Sequence, residues 1–357
     1  MNSLLKELFE SYLKRCACCE SIITSEIYSI LKHHRIDMLL LDNLKNLHFV
    51  LENDENELLQ QKEIVINRNQ KYLEEMSEIS IAFNREKINF VFLKGGALIL
   101  NSYREMFYRY FSDIDILVSY DDIPRAENIL YGKGYIQGEV MDGKIIKANR
   151  RDILYQRLHT HEIYNMVKLD DKIQEINVDI NFLFTWNGFD SSKENLFLEN
   201  FLSNILHVSK MNTDFSIFNN ELQFVHLCSH LYNEAVFFTL DSQYISGTNP
   251  KEILLFRLLD ILIISMQEIN IEEVYSLSTK INCVSKIEYV LSLIDVIMGQ
   301  EYTNKFSEYF EINTELLNIF YGKNGNVYKW PIDIHQRLFD FKIKDKALKQ
   351  LKEEGCI

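Results

Sequence analysis

The 357-residue sequence predicts an α+β protein, with a small mixed sheet mid-chain flanked by N- and C-terminal helical domains. Three observations predict it. Apolar residues recur at helical spacing over 1–88 and again from about 191 onward. Residues 89–190 instead hold short apolar runs and a stretch that alternates apolar with polar residues, the period of a half-buried strand. With 47% hydrophobic residues, 3 prolines and 12 glycines, the chain has ample material for a core and little for linkers. The expected divisions are an N-terminal helical region at 1–88, a mixed-sheet core at 89–190 and a C-terminal helical domain at 191–357.

In the N-terminal region, Leu4, Leu5, Leu8, Tyr12 and Leu13 mark one amphipathic helix, and Leu59, Ile64, Ile66 and Leu73 mark another across 56–87. Phe90–Leu93 is a continuous apolar strand running into Gly95-Gly96, and Ala97–Tyr103 is helical. Ile114–Val118 is a second strand. Asp121-Asp122-Ile123-Pro124 opens a helix with an Asp cap and Pro in the first turn, and Gly132 and Gly134 end it. Residues 157–169 and 172–184 form a hairpin across Asp170-Asp171. Pairing Leu169 with Lys172 places Ile163 opposite Val178 and Glu162 opposite Asp179. Val167, Val178, Ile180 and Phe182 then share an apolar face. Glu162, Tyr164, Glu175, Asn177, Asp179 and Asn181 share the polar one. Past 191 the periodicity predicts helices over 222–238, 250–267, 271–278, 286–298 and 315–320, then a charged tail helix.

The formal net charge is −14. A chain that grips nucleic acid carries a basic footprint, and the basic stretches here, Arg150-Arg151 and Lys342–Lys352, are local. Nucleic acid is therefore not the expected partner. The N-terminus, Met1–Glu7, has no cationic segment leading into an apolar one, and the longest apolar stretch, Ile253–Met266, is broken by Arg257 and Asp260. No membrane partner is expected, and the chain is expected to be soluble and cytoplasmic. Cys16, Cys18 and Cys19 cluster, while Cys228, Cys283 and Cys356 are isolated. That spacing fits neither a disulfide framework nor a zinc site, so buried, reduced thiols in a helix are expected. Richness in Asn, Ile and Lys suits an AT-rich bacterial genome.

The chemistry is concentrated in Phe90–Gly96 and Phe111–Val118. Side chains alternate along a strand, so Asp113 and Asp115 project from one face. Two carboxylates so close raise each other's pKa unless a cation joins them. Mg²⁺ is usually held by one or two carboxylates plus substrate phosphates. The Gly95-Gly96 turn offers backbone N–H groups that a phosphate can approach closely.

This arrangement resembles the nucleotidyltransferase superfamily with the DNA polymerase β-like catalytic fold. The hallmark is a hydrophobic strand, a Gly-Gly or Gly-Ser turn, then an Asp-hydrophobic-Asp/Glu pair on the next strand. Leu93–Leu98 and Asp113–Val118 are also similar to a bacterial family with a Leu-Lys-Gly-Gly…Asp-Ile-Asp-Ile-Leu-Val core. The resemblance implies a mixed-sheet core, Mg²⁺ or Mn²⁺ as cofactor, and Asp113 and Asp115 as metal ligands. It implies a third metal-binding and catalytic carboxylate on a later strand, for which Asp179 is the candidate and Glu175 the alternative. Lys94, Gly95, Gly96 and Ser112 are expected at the nucleotide. Arg109 is expected there too, ahead of Arg104 because it stands nearer Asp113. Phe224–Leu231 resembles the family's C-terminal helix and Asp260 its partner. His226 and His230, four apart on one helical face, are candidates for an acceptor pocket together with Glu162; a buried His–Asp hydrogen bond is the other reading. Tyr232, Phe237, Phe238 and Tyr244 add aromatic surface there.

The expected function is transfer of a nucleoside monophosphate, AMP from ATP, to a small-molecule acceptor with release of pyrophosphate. Two other readings stay open: AMP transfer to a protein side chain, as in some toxin–antitoxin nucleotidyltransferases, and a catalytically idle nucleotide-binding scaffold.

Overall fold

The computed structural model describes residues 1–16, 20–186, 194–236, 253–322 and 325–356. These form two compact units, one from 1–55 with 224–357 and one from 56–223. The divisions expected at 88 and 190 both fall within the second unit.

The first unit begins with α1 (Asn2–Lys14), which buries Leu5, Leu8, Phe9 and Tyr12 at the expected helical spacing. β1 (Ser21–Ile23) leads to α2 (Ser25–His33), whose Thr24 cap accepts from the Ile27 N–H. β2 (Leu47–Phe49) pairs with β1 in parallel, a small sheet that the helical periodicity did not signal. These residues pack with the C-terminal third. Lys6 pairs with Glu301 at 2.7 Å, Tyr302 donates to Glu10 at 3.0 Å, and His34 Nε2 donates to the Leu338 carbonyl at 2.8 Å. The N-terminal region expected as a separate segment thus shares its core with residues from the far end of the chain.

The second unit is built on α3 (Glu52–Arg85), 34 residues long. Its buried stripe is Leu58, Val65, Asn69, Tyr72, Leu73, Met76, Ile79 and Phe83; Leu59 and Ile64, expected in that stripe, face outward. There follow β3 (Phe90–Phe92), α4 (Lys94–Asn101), β4 (Asp113–Val118) and α5 (Ile123–Gly132). Pro124 stands in the first turn of α5, as expected, but the Asp122 carboxylate does not cap that helix. It accepts from the Asn89 N–H and from Arg125, tying the start of β3 to α5.

β5 (Ile136–Met141), β6 (Lys144–Lys147), α6 (Arg150–His159), β7 (Met166–Asp170) and β8 (Gln174–Asn181) come next, then β9 (Ile205–Lys210), β10 (Thr213–Phe218) and α7 (Asn220–Val236). Eight strands make one sheet in the order β6-β5-β7-β8-β4-β3-β10-β9. The β4–β8 and β3–β10 pairs are parallel and the others antiparallel.

The β7–β8 hairpin forms in a register other than the expected one. Met166 pairs with Val178 and Asp170 with Gln174, leaving residues 171–173 as the connection. The Asp170 side chain is the cause. Its Oδ1 accepts from the N–H groups of Lys172 at 2.9 Å and Ile173 at 3.2 Å, so the turn closes on a side chain rather than as a two-residue hairpin. Arg157–His159 belong to α6 rather than to the strand, and Glu162 bridges Asn181 instead of Asp179.

β9 and β10 correct the expectation of helix throughout the region after 191. Met211 and Asn212 both take positive φ, 52 and 58, the geometry of a two-residue hairpin that matches strand twist. Phe215, Ile217 and Phe218 are buried, so β10 lacks the alternation that would have marked it. The segment expected as helix 315–320 is a 3₁₀ turn over Thr314–Asn318 followed by a short hairpin, Ile319–Tyr321 with Val327–Lys329. The remaining helices, Leu255–Ser265, Ile271–Lys280, Val284–Met298 and Phe341–Glu353, fall where their periodicity predicts. Pro250, expected to open the first of these, lies outside the described residues, as do residues 237–238 of the preceding predicted helix.

Asp170 also accepts from Lys71 of α3 at 3.3 Å. Burial works against its charge, but the Lys172 and Ile173 N–H groups and Lys71 outweigh burial and hold its pKa low. Asp170→Ala is expected to cost about 1–2 kcal/mol at neutral pH in denaturant titrations. A carboxylate with a lowered folded-state pKa stabilises above its unfolded value and loses that contribution as pH falls through the folded one. The gap between wild type and variant should therefore narrow in acid.

Candidate active site

Strand alternation on β4 buries Ile114 and Ile116 on one face and sets Asp113 and Asp115 on the other. Parallel pairing with β8 then puts Asp115 abreast of Asp179, and Asp113 abreast of Asn177. Carboxylate oxygens of Asp113, Asp115 and Asp179 all lie within 4.8 Å of one another. Glu175, the alternative third carboxylate, stands two steps before Asn177 and accepts from its side-chain amide at 3.1 Å; it is not part of the cluster.

Asp115 is 3% exposed. Burial pushes its pKa up to about 6; Asp113 adds to the rise, while Lys94 and Arg109 oppose it. Asp179 is pushed well above the usual carboxylate range, first by burial and then by the charges of Glu162, Asp113 and Asp115. Lys94 Nζ lies 2.5 Å from Asp115 Oδ1. Burial disfavours the ammonium, but Asp115 and Asp113 outweigh it and raise the Lys94 pKa. The donor set is all hard oxygen on fixed strand positions, and its repulsion is relieved by positive charge. That fits Mg²⁺ or Mn²⁺ better than metals that favour thiolate or imidazole.

Gly95 and Gly96 lie not in an open turn but in the first turn of α4, which begins three residues before the expected Ala97. A Cβ on Gly95 would stand 2.6 Å from Phe111 Cβ, and one on Gly96 3.0 Å from Met76 Cε. The glycines let the helix start lie directly on the loop that leads into β4. No side chain caps this helix, and first-turn N–H groups have no partner within a helix. They are available to an anion.

Ser112 Oγ lies 3.4 Å from Asp113 Oδ1. Arg109 is buried, donates to the Tyr110 carbonyl, and its charge favours the ionised form of Asp115. Arg104 is exposed and lies over the Tyr108 ring. Glu162 accepts from Gln156 at 3.1 Å, and its charge acts on Asp179. His226 and His230 lie on α7 with parallel rings 6.5 Å apart, in the part of that helix belonging to the first unit. His230 is 3.6 Å from Glu234. Among the described residues the pair joins no cluster of three metal-ligating side chains. Asp260 is buried on Leu255–Ser265. Tyr232 packs edge-on to Tyr289; Phe237, Phe238 and Tyr244 lie outside the described residues. Cys16 is exposed, against expectation, because it follows the end of α1; Cys228, Cys283 and Cys356 are buried thiols. Cys18 and Cys19 lie outside the described residues.

Sequence reasoning missed the residues of α3 that hold this loop. Asn69 donates to the Met106 carbonyl at 2.6 Å and the Arg109 carbonyl at 2.8 Å. Tyr72 donates to the Ser112 carbonyl at 2.5 Å, and Arg68 reaches the Phe111 and Ser112 carbonyls. The available signal was a helical face carrying Arg68, Asn69 and Tyr72 inside an otherwise apolar stripe. A buried polar residue on a helix needs a partner.

Gly95→Ala is expected to lower stability by about 1–3 kcal/mol despite the better helix propensity of alanine, because Phe111 is fixed; denaturant midpoints check it. Asp179→Asn is expected to stabilise the metal-free protein by about 1 kcal/mol at neutral pH. A raised carboxylate pKa means that stability falls as pH climbs from the unfolded value through the folded one. The gain should therefore vanish below about pH 4 and should reverse with saturating Mn²⁺. Thermal midpoints across pH, with and without metal, give the comparison.

Among solved structures, an antigenic nucleotidyltransferase-like protein from Paracoccidioides brasiliensis matches at 10% identity, over 72% of this chain and 95% of that one, with a TM-score of 0.38. The antibiotic-resistance factor ANT(2'')-Ia matches at 11% identity, over 68% and 95%, with a TM-score of 0.28. No curated protein matches. No described helix is long and apolar enough to cross a membrane. Residues 20–299, which contain the whole acid cluster, match the family described as uncharacterised nucleotidyltransferase, and the chain belongs to that family.

Proposed function

We propose that the chain transfers a nucleoside monophosphate, AMP from ATP, to a small-molecule acceptor in the cytoplasm and releases pyrophosphate, with Mg²⁺ or Mn²⁺ as metal. The observation that carries this is the cluster of Asp113, Asp115 and Asp179, with oxygens within 4.8 Å of one another beside the uncapped start of α4. In the reaction an acceptor oxygen forms a bond to the α-phosphorus. The bond from that phosphorus to the bridging oxygen breaks, and pyrophosphate leaves with the electron pair. A divalent cation on the three carboxylates would supply charge neutralisation at the phosphates and lower the pKa of the acceptor hydroxyl.

The chain's own residues divide the remaining work. The first-turn N–H groups of α4, at Gly95 and Gly96, and the Lys94 ammonium receive phosphate oxygens. Arg109 eases the ionisation of Asp115, and the Ser112 hydroxyl stands beside Asp113. Asp179, whose pKa is raised first by burial, takes the acceptor's proton as general base. Glu162 lies beside Asp179 and provides an anionic contact for the acceptor. A net charge of −14 favours a compact acceptor over a nucleic acid.

Purified protein with Mg²⁺, each of the four NTPs and a panel of hydroxyl- and amine-bearing acceptors should release pyrophosphate, most with ATP. Asp113→Ala and Asp115→Ala should each lower kcat/KM by about a thousandfold, with circular dichroism showing that the variants fold. A folded wild-type protein that releases no pyrophosphate from any NTP across the panel would overturn the reading.

A further inference from the structure

Lys94 is held in the acid cluster by backbone as well as by charge. It is separated from β3 by Leu93 alone and opens α4 in the left-handed region, at φ 46. A residue with a Cβ adopts that conformation only against a steric cost. It is fixed from both sides. The Leu93 N–H is bonded to the Asp115 carbonyl at 2.9 Å, and Gly95 and Gly96 are pressed against Phe111 and Met76.

The side chain is thereby committed to Asp115, and the pair is nearly dry, with side-chain exposures of 17% for Lys94 and 3% for Asp115. The ammonium is also within the field of the neighbours: Asp113 and Glu162 stabilise it, and it eases the ionisation of Asp179. A cation held by all three carboxylates needs an Asp115 oxygen on the same side. Like charges repel in inverse proportion to their separation, and a divalent ion repels an ammonium about twice as strongly as a monovalent one does. A triphosphate removes the conflict, because it brings the metal and offers the ammonium another anion.

We infer that Lys94 is the resident counter-cation of the metal site: without nucleotide it competes with the divalent metal for Asp115, and on arrival of the metal-nucleotide it passes to a phosphate oxygen. The inference rests on the metal-nucleotide reading above and adds an order to it. Metal alone binds weakly, and metal bound to triphosphate binds well. The same ion pair keeps the acid cluster tolerable in the metal-free protein, where one partner removed would leave a buried charge uncompensated.

Isothermal titration of Mn²⁺ without nucleotide tests this on the full chain. Lys94→Met, which keeps the aliphatic stem, should tighten the Mn²⁺ Kd about tenfold or more, the equivalent of about 1.4 kcal/mol, while Lys94→Arg should stay near wild type. With Mg²⁺ and a non-hydrolysable ATP analogue, Lys94→Met should bind the nucleotide more weakly. If Lys94→Met does not fold, Lys94→Gln carries the same comparison. Unchanged or weaker Mn²⁺ affinity in a folded variant overturns the inference, as does unchanged nucleotide affinity. Tightened Mn²⁺ binding in the variant, beside a wild type that releases no pyrophosphate, would uphold the counter-cation and sink the transfer reading. Intact pyrophosphate release with unaltered Mn²⁺ affinity would do the reverse. No Mn²⁺ binding to either protein, with or without the ATP analogue, would overturn both.

Discussion

Parallel pairing of β4 with β8 brings Asp115 level with Asp179, and the rest of the site answers the repulsion that this creates. Three carboxylates on neighbouring strands cannot turn away from one another, because strand geometry fixes where each side chain leaves the backbone. Burial deepens the conflict by disfavouring ionisation at Asp115 and Asp179. Lys94 and Arg109 ease it, and Glu162 renews it on the Asp179 side. Positive charge relieves that repulsion, and the three carboxylates are placed so that they could hold a metal ion.

Placing the cluster also demands a rigid frame, and α3 provides it. Its buried face changes character along its length. Met76, Ile79 and Phe83 pack as apolar core, whereas Asn69 and Tyr72, with Arg68 beside them, satisfy the carbonyls of the loop that enters β4. On the other side of that loop, Gly95 gives the start of α4 room to lie against Phe111. The loop is therefore gripped between a long helix and a short one. Preorganisation of this kind lets a site keep its geometry without reorganising when substrate arrives.

The sheet unit carries all the carboxylates of the cluster, together with Lys94 and the glycines. The helical unit draws its core from both ends of the chain, so neither end can form it alone. In the sheet unit, Lys71, Glu75, Lys168 and Asp170 link α3 to the β7–β8 hairpin through a charged network with Lys168 and Glu75 at 2.5 Å. That network ties α3 to β7, the strand that pairs with β8.

The sequence by itself determined what depends on near neighbours. Period-2 alternation put Asp113 and Asp115 on one face of a strand, the strand-Gly-Gly run marked where α4 lies closely on the loop before β4, and helical spacing located α1 and most C-terminal helices. Tertiary structure decided what depends on distant partners. Asp179 reaches the pair only because β8 pairs in parallel with β4, which no local period encodes. The β7–β8 register turned on one side chain, Asp170, bonding to the backbone N–H groups of Lys172 and Ile173. β10 hid because both its faces are buried, and the 1–55 segment looked separate because its core partners are near residues 301 and 338. Local periodicity reports which face of an element is apolar; the identity of what covers that face is fixed only by the folded chain.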